Sequence, residues 1–236
     1  MKTKAALALT LITLSLAAPA LAQERRDRAP DAAAAKPPAP LRNRANPSTV
    51  IAAEIAFARL AQEKGQWTAF RATAAGTAEM FTPRRVRVAD WLKGKADPAR
   101  SVTWQPHAVW SSCDGTIAVT HGAWQDGDKA GYFTTVWEQQ RNRRYKWVLD
   151  HGDALPFPLD QPEMIQAKVA TCEGRPSLPL AAPAVGEDIK TSASRDQSLL
   201  YSSTVRPDGS RSISVRVWNG TAHDTVLEET VAAEGQ

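Results

Sequence analysis

Five side chains in this 236-residue sequence could move protons at a bound molecule: Asp90, His107, Tyr132, Glu138 and Asp150. General acid–base chemistry needs a carboxylate or imidazole with a perturbed pKa facing a pocket, and a tyrosine or second acid to polarise the substrate. None of the five stands in a catalytic pattern of its own, so the catalytic assignment rests on His107, Tyr132 and Asp150 only as candidates. Asp114, Asp126 and Asp128 are explained by turn chemistry alone. His107, His121 and His151 fall on or at the ends of expected strands. A zinc site needs three or four ligands converging at about 2 Å, which spacing does not establish. The plainer reading is strand histidines beside Asp150 or Asp153, so no metal and no cofactor is assigned. No G-x-S-x-G, P-loop, dinucleotide fingerprint or H-E-x-x-H occurs, and the hydrolase, nucleotide and zinc-protease classes lack their signals.

Aromatic mass is concentrated. Seven of eight tryptophans lie between residues 67 and 147. One reading is a pocket for a small apolar or cyclic ligand, lined by Phe70, Trp104, Trp110, Trp124 and Trp137. The other is a filled core, since each buried aromatic removes roughly 150 to 250 Å² from water.

The elements that must position these groups follow from periodicity. Ser48 is an N-cap for a helix over Thr49–Lys64, with Val50, Ile51, Ile55, Phe57, Ala58, Leu60 and Ala61 at helical spacing. Trp67, Phe70 and Ala74 suggest a short second helix, after which Gly76 and Pro83 punctuate the chain. Residues 103–112, 116–125, 131–140 and 145–153 read as four strands of an antiparallel meander. The register of the first hairpin is open. A two-residue Asp114-Gly115 turn sets Trp110 opposite Val119. A three-residue loop sets Trp110 opposite Ala118, His107 opposite His121 and Trp104 beside Trp124, and is preferred because it gathers three tryptophans on one side. Residues 155–184 hold six prolines and read as an extended wrap with one short element near residues 164–171, helix or strand. Beyond it, residues 198–205 and 211–218 flank Arg206-Pro207-Asp208-Gly209 as a hairpin, with a third strand near 225–231.

Two helices and four strands carrying Trp104-x-Pro106, Asp114-Gly115, Thr120-x-Gly122-x-Trp124, Gly131-Tyr132, Val136-Trp137 and Tyr145-Lys146-Trp147 resemble the nuclear transport factor 2-like superfamily. The nearest branch is the SnoaL-like domains of unknown function in exported bacterial proteins. The resemblance covers residues 48–154 and leaves 185–236 outside. It implies an α+β cone, a curved antiparallel sheet wrapped around N-terminal helices and enclosing an apolar pocket, here with a C-terminal β-hairpin extension. It implies little about chemistry, because members include enzymes, binders and assembly domains. Three functions stay open: a binder of a small apolar molecule or protein partner, an acid–base enzyme (isomerase, cyclase or dehydratase), and a homodimerisation module using the sheet's outer face and the hairpin over residues 198–218.

The chain carries a formal charge of +4 and a pI near 9.2. The excess lies in the first 44 residues, because residues 45–236 hold 21 bases against 22 acids. That balance excludes a dominant phosphate footprint, and no nucleic-acid partner is expected. Lys2 and Lys4, the apolar run to Ala18 and Ala20-Leu21-Ala22 read as a signal peptide cleaved after Ala22, leaving no transmembrane segment. Residues 23–47, rich in proline, alanine and charge, read as a disordered linker. The destination is the periplasm or the exterior, where Cys113 and Cys172, outside any metal-type spacing, read as a disulfide. Both thiols are expected to resist labelling until reductant is added; labelling without it would rule out the bridge.

Overall fold

The computed structural model describes residues 44–174, 176–177 and 186–233; the expected signal peptide, nearly all of the expected linker and part of the expected proline-rich wrap lie outside them. Helix α1 spans Pro47–Lys64. Its cap is Asn46 rather than Ser48, since Pro47 occupies the first turn and the Asn46 side chain accepts from Ser48 N at 3.1 Å. Helix α2 (Gln66–Thr73) follows Gly65, and its stripe of Ala69 and Phe70 packs with Phe57 and Ala61 of α1.

Seven strands, β1 (Ala74–Phe81), β2 (Arg85–Arg87), β3 (Thr103–Ser111), β4 (Ile117–Asp126), β5 (Lys129–Gln139), β6 (Tyr145–Leu155) and β7 (Gln166–Val169), form one mixed sheet in the order β2-β1-β6-β5-β4-β3-β7. The meander is β3, β4, β5 and β6. Its two edges depart from the expected antiparallel pattern: β1 pairs parallel to β6, and β7 parallel to β3. The element near residues 164–171 is therefore a strand. Strand β2 and the one-turn helix α3 (Val88–Trp91) complete this layer.

Two bulges set which side chains face the helices. On β3, Pro106 pairs with Gly122 but Ala108 pairs with His121, so His107 is an extra residue. Both registers expected for this hairpin are half present: Trp104 pairs with Trp124 below the bulge, and Trp110 with Val119 above it. The bulge reverses alternation, so Trp104 and Val109 face the helices and Trp110 the other side. On β6, Trp147 pairs with Trp137 but Leu149 with Val136, which leaves Val148 as the extra residue. Trp147 and Asp150 consequently share the helix-facing side, with Leu149 and His151 on the outer one.

The C-terminal extension is larger than a hairpin. Strands β8 (Asp188–Ala193), β9 (Leu199–Val205), β10 (Arg211–Trp218) and β11 (His223–Val231) form an antiparallel sheet in the order β11-β10-β9-β8. Leu199, Ile213, Val215 and Val217 pack on Ile117, Val119, Val136 and Leu149, covering the outer face of the first sheet. The two sheets also meet at a matched pair of turns, Ser112–Thr116 and Ser194–Ser198. Asp114 N donates to Asp196 Oδ2 at 2.8 Å, and Asp196 N to Asp114 Oδ2 at 3.1 Å. Cys113 N donates to Ser198 Oγ, and Arg195 N to Thr116 Oγ1, repeating the exchange. Gly115 and Gln197 both take positive φ at the same turn position.

Cys113 and Cys172 form a disulfide across 59 residues, tying the segment after β7 to the first hairpin. Replacing both with serine should lower unfolding free energy by about 4 kcal/mol. Denaturant titration checks this, and an unchanged midpoint would show that the bridge contributes nothing to stability.

Candidate functional site

A cavity of about 340 Å³ opens between α1, α2 and the helix-facing side of the first sheet, at the end where β6 runs past β1. Phe57, Phe70, Trp104, Trp124 and Phe133 give it aromatic walls; Thr135 and Asp150 line it from the sheet. Gln66, Asp126, Lys129 and Asp153 also border it, with Asp126 and Lys129 in the exposed β4–β5 turn. Trp124 lies flat across β5 because Gly131 leaves room for it, a Cβ there colliding with the indole ring. Its Nε1 donates to the Tyr132 carbonyl at 3.0 Å.

Asp150 is half-buried, and its Oδ1 accepts from Thr135 Oγ1 at 2.8 Å. Burial pushes its carboxyl up to about 7; the threonine bond pulls the other way, and the Glu54 charge adds to the rise. Glu54 is fully buried, 0% exposed, behind the Trp104 wall. Its Oε1 accepts from Trp104 Nε1 at 2.7 Å, and its Oε2 from Thr120 Oγ1 at 2.6 Å and Trp137 Nε1 at 3.0 Å. Burial also pushes this carboxyl up, against those three donors.

The expected site residues separate. Phe70, Trp104, Trp124 and Asp150 meet at the cavity. Trp110 and Trp137 do not line it: the His107 bulge turns Trp110 to the outer face, and Trp137 is core, held by Glu54. His107 lies outside it, in grooves beneath residues 158–165, with its Nε2 buried and unpartnered among the described residues. Desolvation and the neighbouring His121 push its imidazole down. Asp90 and Glu138 are exposed on other surfaces, Asp90 beside Arg87.

Tyr132 borders the cavity, but its ring lies between His121 and His151 on the outer side. Burial, then the charges of Glu229 and Asp153, push its hydroxyl up. The histidines converge there on a residue of the second sheet: Glu229 lies 3.1 Å from His121 Nδ1 and 3.4 Å from His151 Nδ1, and accepts from Thr134 Oγ1 at 2.8 Å. Burial works to raise the Glu229 carboxyl, but the histidine bonds hold it down to about 2. Among the described residues no group of three or more His, Cys, Asp or Glu could hold a metal ion.

Glu54 escaped the sequence reading. It falls within the buried stripe Val50, Glu54, Phe57, Ala61, a carboxyl where helical spacing calls for an apolar side chain. That mismatch was the available signal. Glu229 had none, because its partners lie on strands about a hundred residues away.

Solved structures similar to this chain include a candidate ketosteroid isomerase from Parabacteroides distasonis, 17% identical, covering 49% of this chain and 97% of that one at a TM-score of 0.37. A cystatin-like fold protein from Burkholderia xenovorans is 15% identical, covering 47% and 92% at 0.39. An NTF-2 like protein of unknown function from Silicibacter pomeroyi is 16% identical, covering 47% and 99% at 0.35. No protein-family model matches the chain, and no curated protein matches it.

The raised Asp150 carboxyl makes folding pH-dependent. Between its ordinary 3.8 and about 7 the folded state binds a proton that the unfolded state has released, so stability falls as pH rises through that window. The stability difference between wild type and Asp150→Asn should change there by up to about 1.4 kcal/mol per pH unit. Denaturant melts across the window check this, and a constant difference would place Asp150 at its ordinary acidity.

Proposed function

We propose that the cavity binds a small, largely apolar cyclic molecule bearing a carbonyl, and that Asp150 exchanges a proton with it, as in an isomerisation, cyclisation or dehydration. The observation that carries this reading is a carboxyl reaching an aromatic-walled cavity, with one oxygen fixed by Thr135. A group titrating near neutrality is present in both forms, so the same side chain can remove a proton and return it. Aromatic walls bind an apolar ring and keep water from the carboxylate. Lys129 and Gln66 at the border can meet polar substituents.

Binding without catalysis is the second reading, favoured because the Tyr132 and His151 rings bordering the cavity turn to the outer side, toward each other and Glu229, and Lys129 lies in the exposed turn. A homodimer through the outer face of the first sheet is disfavoured, since β9 and β10 already cover that face. The disulfide supports an oxidising compartment, periplasmic or extracellular, and no helix among the described residues is long and apolar enough to cross a membrane.

The test is a panel of one- to three-ring cyclic ketones, with NMR following solvent deuterium entering the carbon beside the carbonyl and tryptophan fluorescence following binding. The wild type should accelerate exchange, and Asp150→Asn should slow it by roughly 10²- to 10⁴-fold while binding persists. Binding without exchange in the wild type would leave the binder reading, and neither signal would sink both.

A further inference from the structure

A second carboxyl stands behind the first. Thr120 pairs with Thr135 across β4 and β5, and Thr135 with Asp150 across β5 and β6, so the three form one cross-strand row. Glu54 reaches the far end of that row from α1 through Thr120. Two strand spacings separate Thr120 from Asp150 by about 10 Å at the backbone, and both carboxyls lie on the helix side. Two like charges about 10 Å apart in a protein interior shift each other's titration by about 1 pH unit, and the Glu54 charge acts on Asp150 in that direction.

The Thr120 hydroxyl has one proton and two acceptors in place: Glu54 Oε2 at 2.6 Å and the Thr135 carbonyl at 3.3 Å. With Glu54 ionised it donates to the carboxylate. With Glu54 protonated it turns to the carbonyl and accepts the carboxyl proton. Each arrangement leaves the hydroxyl satisfied, so Glu54 can hold or release a proton without stranding a buried group.

We propose that Glu54 and Asp150 act as one unit that holds a single proton at rest. This rests on the proton-transfer reading of the cavity. With the resting proton on Glu54, Asp150 is ionised and takes a proton from a substrate C–H; the electron pair of that bond stays on the substrate as an enolate. The proton then returns from Asp150 to another carbon. Glu54 touches no cavity surface and is a positioning residue that sets the charge on Asp150. Other charged groups nearby are engaged elsewhere. Asp126 faces Arg100, Asp153 accepts from Ala154 N, and His151 turns outward to Glu229. Glu79 of β1 faces Arg85 and Lys190, and Arg71 of α2 donates to the carbonyls of Leu92 and Lys95. Lys129 borders the cavity from the exposed turn.

Carbon-13 NMR of the side-chain carboxyls in the intact, ligand-free protein, from about pH 4 to about pH 9, tests the unit. In the wild type both resonances should move in two shared steps. In Glu54→Gln, Asp150 should titrate once, at a pH about 1 lower, and in Asp150→Asn, Glu54 should fall by the same amount, because coupling is reciprocal. Independent titrations in the wild type, unequal shifts in the two variants, or a Glu54 fixed in one state throughout would overturn the proposal. Should a variant fail to fold, the wild-type pattern decides alone. The measurement needs no ligand, so a failed ketone panel and a failed coupling are separate results.

Discussion

One buried carboxyl holds the helix layer to the sheet. Glu54 projects from the apolar stripe of α1 and accepts hydrogen bonds from Trp104 on β3, Thr120 on β4 and Trp137 on β5. An ionisable group at that depth is costly unless its oxygens are met by donors. An indole N–H at that depth is likewise costly without an acceptor. Each need answers the other, and the result fixes α1 across three strands at once. Phe57, one turn along the same stripe, then packs against Phe70, Trp104, Trp137 and Trp147, with ring centroids 4.8 to 6.2 Å apart. The aromatic wall of the cavity is thus built outward from a polar contact.

The cavity exists because the sheet is irregular at two residues. With strict alternation β3 would put Trp104 and Trp110 on one face, and β6 would send Asp150 to the outer side with Trp147 inside. The extra residues at His107 and Val148 reverse this, bringing Asp150 into the aromatic chamber and moving Trp110 into the contact between the sheets. A bulge also bends and twists its strand, which helps a sheet curve around helices.

The second sheet gives the outer face a covering from the same chain. It buries an apolar surface that would otherwise face water, and it supplies Glu229 to two histidines of the first sheet. The reciprocal Asp114 and Asp196 turns, with the nearby disulfide, fasten the sheets at one end; Arg85, donating to Asp188 and Ser203, fastens them near β2. Asp114 was legible as a turn residue, but its second oxygen works between sheets, a role that local turn chemistry does not express.

The meander, both N-terminal helices, the C-terminal hairpin and the cysteine pair were legible in the sequence, because periodicity, turn residues and the chemistry of an oxidising compartment are local or compositional signals. Asp150, Phe70, Trp104 and Trp124 could be named as candidates for the same reason: residue type and approximate strand position suffice to nominate a side chain. Strands β1, β2 and β8 were not legible, since their pairings are short, edge-bound or reach residues far along the chain. Tertiary structure alone decided which candidates meet. A bulge adds one residue to a strand without a sequence mark, and that one residue exchanges the faces of everything after it. Glu54 shows the same limit from the other side: its place in an apolar stripe is visible in the sequence, but the indoles and threonine that make the place tolerable come together only when three strands converge on one helix.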